Sequence, residues 1–536
     1  MKHLSKILAL TLAVVLLLGL FAACTKTEKP AETTPAKTEE PAKTDTPAKT
    51  EEPAKTEEPD EPEETFDPED IVDINFYIPD MNNAHGADHQ ERINKLVNEI
   101  TEPKGIHVNL TYLQIGDWVG KVQTSIAGGE RIDLMCYCIM NGVAQMYNSK
   151  MGMDMTDYLN EYAPETVELM SEYLGADSYN GRIYGVPVLR DYVSNGYLCY
   201  NKTILDEKGL TEQAEAVSSW SELEELFAAI AKAMEGTGIY AHIPSLGTTI
   251  TSNGYILRGD KFSDIEVNDS LGDGAGVVYC NQETGKIELF QAMPEYEYSV
   301  ALAKRWMDAG YLFPDAIYDS QLSATNIISQ GLGVSELCTS EEGVESVKAG
   351  WYGGPALCQK VYDGIINTAK LTSWGMGIPI TCEEPEAATR LLNMLYTDSD
   401  LMNVMIHGEE GVDYEVVDGQ ANMIADNAYN MGTYVLGNNM LSLPLYGNGA
   451  DFYDRVAAGI QNAKISKYLG FVLDTGDLSL LISQLSAVND QYRTTMQCGG
   501  YEPDYLKEYL EKLEAAGVQE YLDAVQTQLD AWVASH

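Results

Sequence analysis

Apolar and polar residues alternate from Asp73 to Pro79 (DINFYIP), the period of a half-buried strand. From Asp88 to Ile100 the period changes. Ile93, Leu96, Val97 and Ile100 recur on one face of a helix. His107–Leu113 (HVNLTYL) reads as a second strand, Trp118–Ala127 as a helix closed by Gly128-Gly129, and Ile132–Tyr137 as a third strand. Strands that alternate with helices predict a parallel sheet covered on both faces. Such sheets bind ligands at the carboxyl ends of their strands. Here those ends are Pro79–Asn82, the turn before Trp118, and Tyr137–Asn141.

Two long extended runs interrupt this rhythm. Asn180–Tyr200 (NGRIYGVPVLRDYVSNGYLCY) contains Gly185 and Pro187, and Leu371–Thr381 (LTSWGMGIPIT) has the same character. Proline cannot donate to a ladder and is disfavoured within a sheet, so each run reads as chain leaving one sheet for another. Helical patterns at Trp220–Met234 and Tyr296–Ala309 lie between them, and another at Pro385–Tyr396 follows. Two crossings predict two α/β lobes, each built from discontinuous chain and joined by a hinge.

The amino terminus follows a different pattern. Behind Lys2 and Lys6, Ile7–Phe21 is unbroken apolar sequence. That is short of the roughly twenty residues that span a bilayer and suits a secretory leader. Ala22 and Ala23 then precede Cys24, which resembles the bacterial lipobox, with Phe21 where leucine is usual. The resemblance implies cleavage, acylation of Cys24 and anchorage to the outer face of the cytoplasmic membrane; an ordinary leader with an incidental cysteine is the alternative. Hexapeptides beginning PAKT start at Pro35, Pro41, Pro47 and Pro53. They have no apolar face to bury, and their regular prolines favour an extended spacer.

After the tether, roughly 465 residues remain, too many for one typical core. The net charge is −48, and −50 once Lys2 and Lys6 leave with the leader. That surface repels nucleic acid and anionic headgroups and argues against an anionic ligand. Besides Cys24 there are eight scattered cysteines without a CxxC pair, which read as buried free thiols. Tyr (33) far outnumbers Phe (9). Rings that carry hydroxyls suit sugars, whose C–H faces stack while their hydroxyls hydrogen-bond.

"GRIYGVPVLRD", "YLCYNKTIL", "SWSELEELFAAI" and "TSWGMGIPI", in that order behind a lipobox and tether, resemble the solute-binding lipoproteins of bacterial ABC importers, most nearly the maltose-binding-like, carbohydrate branch. "YLGFVLDTGDLSLLISQLSAVNDQY" and "KLEAAGVQEYLDAVQTQLDAW" resemble the carboxyl-terminal region of LipO-type oligosaccharide-binding lipoproteins. The resemblance implies a two-lobe α/β fold of the periplasmic-binding-protein kind. Its expected parts are a leader (1–23), the acylated cysteine and tether (24–70), lobe one (71–187 and 376–445), lobe two (188–375), and a helical region packing on lobe two (446–536). It further implies no catalysis, no cofactor and no metal, an oligosaccharide ligand, ABC permease subunits as partners, and a monomer.

The strand-end rule nominates ligand-binding residues: Asp80 and Asn82 after the first strand, Trp118, Tyr137, Arg190, Asp191 and Tyr192 after the first crossing, Glu336 at the end of GVSEL, and Trp374 in the return crossing. Taken singly, each has a plainer role. Trp118 fits a helix-start core residue, Arg190 and Asp191 an exposed ion pair, Trp374 hinge packing, and Glu336 a solvated strand-end acid. Competing chemistries find less support. His85 and His89 share a helical face as metal ligands can, but His107, His242 and His407 are not linked to them in sequence. A glycoside hydrolase needs two positioned carboxylates, and 82 acids nominate too many pairs to discriminate. No GxSxG, HExxH or P-loop is present. A peptide or another small polar solute is the alternative ligand.

Overall fold

A computed structural model of the chain describes residues 70–535 apart from 82, 83, 85, 139–141, 248, 253 and 425–427. The leader, Cys24 and the repeats lie outside the described residues, as do Asn82 and His85. The frame uses nine strands: β1 (Val72–Asp80), β2 (Ile106–Gln114), β3 (Leu134–Cys138), β4 (Val186–Pro187), β5 (Asn195–Asn201), β6 (Tyr240–His242), β7 (Gly333–Ser340), β8 (Ala356–Tyr362) and β9 (Trp374–Gly377).

The alternating amino-terminal pattern folds as read. β1 pairs in parallel with β2 from Val72↔Ile106 to Asp80↔Gln114, and with β3 on its other side. Parallel neighbours need a crossover, and the helices Ala87–Thr101 and Ile115–Ala127 supply it. The sheet order is β2-β1-β3-β9-β4. β9 enters antiparallel to both β3 and β4, so the return crossing completes the first sheet. The second sheet has the order β8-β5-β7-β6, with β5 antiparallel to β7 and β8. The run from Asn180 to Tyr200 therefore does leave one sheet, at β4, for another, at β5. Ser219 caps the helix Trp220–Ala233 by accepting from the Glu222 N–H at 3.2 Å. Pro385 opens Pro385–Thr397 at a position where its missing N–H costs nothing.

One core gathers Ile74, Phe76, Val108, Leu134 and Met376 of the first sheet with Leu391, Leu392 and Leu401 from beyond the return crossing. A second packs Leu198, Tyr200 and Leu337 of the second sheet against Trp220, Phe227 and Trp306. The carboxyl-terminal helices Ser479–Gln497, Tyr505–Ala515 and Val518–Ser535 close a third core, joining Leu485, Tyr509, Tyr521 and Val525 to Val277, Phe290 and Tyr296. Tyrosine largely serves these cores. Of the twelve largest fully buried side chains, nine are Tyr and three Trp, so tyrosine fills interior volume where phenylalanine is scarce. Among the described residues no helix is long and apolar enough to cross a membrane.

Two buried acids mark the frame. On the face of the second sheet opposite Leu198, the Glu336 carboxylate accepts from Lys348 Nζ (2.8 Å), Thr325 Oγ1 (2.7 Å) and the Tyr352 hydroxyl (2.7 Å). Asp177 is fully buried where β4 meets β9, against Gly185 and Gly375. Among the described residues neither of its oxygens has a hydrogen-bond partner, and burial pushes its carboxyl up to about 8.

These acids behave differently on substitution. Lys348→Met leaves Glu336 buried without its cation and should cost about 3–5 kcal/mol; adding Glu336→Met should recover most of that loss in urea unfolding, and a double variant as weak as the single one refutes the pairing. Folded Asp177 keeps its proton to about pH 8, whereas an unfolded carboxyl releases it near ~3.9. The folded state binds more protons across that window, so stability falls as pH rises through it. The protein should lose at least about 1.4 kcal/mol more than Asp177→Asn between roughly pH 5 and 8. Parallel pH profiles would contradict this.

Candidate functional site

The strand ends that should bind a ligand meet where the chain crosses between sheets. β1 ends at Asp80, and Trp374 opens β9 opposite Cys138, the last residue of β3. In the second sheet, β7 ends at Ser340 opposite Asn195, which opens β5. Residues 188–194 run between these edges. Their backbone is held by the first lobe: Leu189 donates to the Gly437 carbonyl and accepts from the Asn439 N–H, at 3.0 and 2.9 Å.

A polar cluster fills the junction. Arg190 Nη2 donates to Ser373 Oγ at 2.9 Å, and Nη1 lies 4.0 Å from Glu341. Glu341 also takes Lys370 Nζ and, at 3.2 Å, Ser194 Oγ; Lys370 donates to Ser194 at 2.5 Å. Asp191 accepts from the backbone N–H of Val193 and of Glu342, each at 2.8 Å. Glu342 in turn accepts from Arg455 Nε at 2.8 Å, while Ser346 Oγ donates to the Gly447 carbonyl at 2.9 Å. Both crossings, the end of β7 and the segment around Arg455 are thus tied by charge-assisted bonds.

Electrostatics differ within the cluster. Burial pushes the Glu341 carboxyl up, but the ammonium of Lys370 and the guanidinium of Arg190 outweigh it and hold the group below the usual range. At Asp191 burial prevails over the two backbone donors and raises the carboxyl. Beside them the rings of Trp374 and Tyr434 meet edge-on, centroids 5.5 Å apart. Burial raises the Tyr434 phenol, and Arg190 partly offsets it. The cluster holds donors, acceptors and ring edges. Among the described residues no group of three His, Cys, Asp or Glu side chains could hold a metal ion.

The nominated residues divide by position. Arg190, Asp191 and Trp374 lie in this junction, where Trp374 is largely buried against the core of the first sheet. Asp80 is buried at its strand end, where it accepts from the Ala84 N–H at 3.0 Å. Of the others, Asn82 lies outside the described residues and four are buried. Trp118 is fully buried against the first sheet, the plainer role read for it. Tyr137 lies under Gly377, where an added Cβ would come within 2.1 Å of its ring. Tyr192 is fully buried with its ring against Tyr173, centroids 5.1 Å apart. Glu336 belongs to the buried pair with Lys348, because β7 does not end at Leu337 but continues through Cys338 and Thr339 to Ser340. The same strand-end rule applied at the true terminus selects Glu341 and Glu342. Lys370, Ser373, Tyr434 and Arg455 carried no signal in the sequence, because their place in the site comes from packing across the crossings.

Further space flanks the second crossing. A cavity of about 650 Å³ is lined by Tyr179, Asn180, Asp474 and Trp532, among others. It shares Tyr179, Val472 and Leu473 with a cavity of about 160 Å³ that reaches Thr368 and Thr372.

Comparison with known proteins agrees with this architecture. Residues 95–405 match the family described as bacterial extracellular solute-binding protein, and residues 467–534 match a domain of unknown function (DUF3502). A carbohydrate ABC transporter substrate-binding protein of Streptococcus pneumoniae serotype 4 is 24% identical over 474 residues, covering 83% of this chain and 89% of the relative. The crystal structure of the N-glycan transport solute binding protein NgtS of S. pneumoniae superposes with a TM-score of 0.72 at 19% identity, over 86% of this chain and 99% of NgtS. An extracellular solute-binding protein of Bifidobacterium longum subsp. infantis superposes at 0.61 and 15% identity, over 86% of this chain and 98% of the other. The two-lobe frame is common to them, and the family match spans more than half the chain: it belongs to the bacterial extracellular solute-binding proteins, a family of binders rather than enzymes.

Proposed function

We propose that this chain is the extracellular capture subunit of a carbohydrate ABC importer and binds a neutral oligosaccharide at the junction of its two lobes. One observation carries the reading: the strand ends of both sheets meet at Arg190, Glu341 and Lys370, whose charges are already paired with one another, and at Asp191, whose carboxyl accepts two backbone N–H groups. A site with its charges internally neutralised, many hydroxyl-matching donors and acceptors, and the rings of Trp374 and Tyr434 alongside suits a ligand with hydroxyls and no charge. Support comes also from the carbohydrate transporter relative and from the structure of NgtS in complex with Man5GlcNAc. Capture proceeds by closure of the lobes about the crossings, a ligand-driven population shift. The body acts as a monomer that delivers the glycan to membrane permease subunits. Cys24 is acylated at the outer face of the cytoplasmic membrane, and the PAKT repeats set the reach of the body from it; the apolar run Ile7–Phe21 and the Ala22-Ala23-Cys24 sequence support this.

Titration calorimetry against a high-mannose N-glycan, a fructo-oligosaccharide and a peptide mixture tests the reading. A glycan should bind with an affinity that changes little with salt, since no ion pair with the ligand is screened. Trp374→Ala or Tyr434→Ala should weaken it by about 30-fold or more, the scale of a binding hot spot, while Trp532→Ala, in the flanking cavity, should change it less than about twofold. Binding of peptides alone, or an affinity that collapses with salt, overturns the sugar reading; loss on Trp532→Ala alone moves the site to the flanking cavity. In cell fractionation, Cys24→Ala should abolish acyl labelling of the chain, and persistent labelling refutes the anchor.

A further inference from the structure

Three of the free cysteines come together on one face of the second sheet. In the β5–β8 register Cys199 stands directly opposite Cys358. In the β5–β7 register Cys199 is opposite Glu336 and Cys338 is opposite Tyr197. Side chains alternate along a strand and cross-strand partners share a face, so all three thiols project to the same side. Cys199 Sγ and Cys338 Sγ are 3.6 Å apart. Cys199, on the middle strand, is fully buried, Cys338 is nearly so, and Cys358 is half-buried.

We propose that Cys199, Cys338 and Cys358 form a thiol–disulfide exchange site, which reacts with a low-molecular-weight disulfide at Cys358 and stores the resulting cystine between Cys199 and a neighbour. The environment favours this division of labour. The Cys199 and Cys338 thiols share a hydrogen bond, and the Lys348 ammonium adds its charge. Together they outweigh burial and hold the Cys338 thiol below its usual range, while burial drives that of Cys199 up. Cys338 is thus the group disposed to be a thiolate, and Cys358, the most exposed of the three, is the point of entry.

The exchange balances without any further oxidant. The Cys358 thiolate attacks one sulfur of the small disulfide RSSR, forming a mixed disulfide and releasing RS⁻, which takes up the Cys358 proton as RSH. Cys199 gives up its proton and attacks the Cys358 sulfur, expelling the second R group as RSH and leaving a Cys199–Cys358 bond. The Cys338 thiolate then attacks Cys199, transferring the bond to Cys199–Cys338 and expelling Cys358 as a thiolate, which takes up the proton that Cys338 gave up on ionising. Two protein thiols are oxidised and one external disulfide is reduced to two thiols. The product staples β5 to a neighbouring strand within one sheet.

Incubating the folded full-length protein with oxidised glutathione, followed by alkylation, intact mass measurement and peptide mapping, tests the proposal. The wild type should lose two hydrogen atoms, with the bond mapped to Cys199–Cys338 or Cys199–Cys358, and its thermal midpoint should rise. Cys358→Ala should slow oxidation by about tenfold or more, because the remaining pair is shielded. Cys199→Ala should stop at a glutathione adduct on Cys358. Cys338→Ala, which keeps the central thiol, should still yield Cys199–Cys358. A wild type that acquires only a glutathione adduct, that forms its cystine elsewhere, or that oxidises equally fast without Cys199 overturns the proposal.

Discussion

A segment that leaves one sheet for another takes its peptide groups out of both ladders, and each buried group must find a partner elsewhere. That requirement organises this protein. Val188 donates to the Trp374 carbonyl and Leu189 to Gly437. Val193 and Glu342 both donate to the Asp191 side chain, and Gly364 to Asn195. Ser466 donates to Ile366, where residues 464–465 pair with the segment that leads into the second crossing. The crossings are extended segments held together by a few side chains and by one another. The same side chains form the polar junction, so the structural need of the crossings and the chemistry of the candidate site draw on one set of residues.

The interior shows the consequences of a tyrosine-rich, phenylalanine-poor composition. Tyrosine brings an apolar ring of useful volume and a hydroxyl that needs a partner. Some find one: Tyr396 donates to the Pro187 carbonyl at 2.7 Å and Tyr521 to Asp273 at 2.7 Å. Near the crossings others do not. Tyr137, Tyr179 and Tyr192 have buried hydroxyls without a partner among the described residues, as has the carboxyl of Asp177. Unsatisfied polar groups lower the cost of rearranging the volume they share.

The strand-end rule led to the junction where the end of a strand was legible. Arg190 and Trp374 lie within the extended runs, and glycine and proline mark those runs in the sequence, so their place at a junction could be read. Glu336 lies away from the strand end for a local reason: Cys338 and Thr339 continue the strand, and the acids at its true end are Glu341 and Glu342. Trp118, Tyr137 and Tyr192 were placed near the correct strands and turns, yet their rings face the core. A ring beside a strand end can point into the cleft or into the protein, and neighbouring residues such as Gly377 above Tyr137 decide which.

Taken alone, the sequence determined the local order of this protein: the parallel β1–β3 unit, the helices between, and the two runs that depart from it. Hydrophobic period and the missing N–H of proline act within a few residues and need no distant partner. Which side chains meet at the junction was decided by the tertiary structure. Lys370 reaches Glu341, Arg455 reaches Glu342 and Tyr434 reaches Trp374 across separations of 29, 113 and 60 residues. The three thiols of β5, β7 and β8 are likewise far apart in the chain and adjacent in the sheet. Such contacts depend on strand register and on how two discontinuous bodies close around their crossings, and neither composition nor periodicity encodes that geometry.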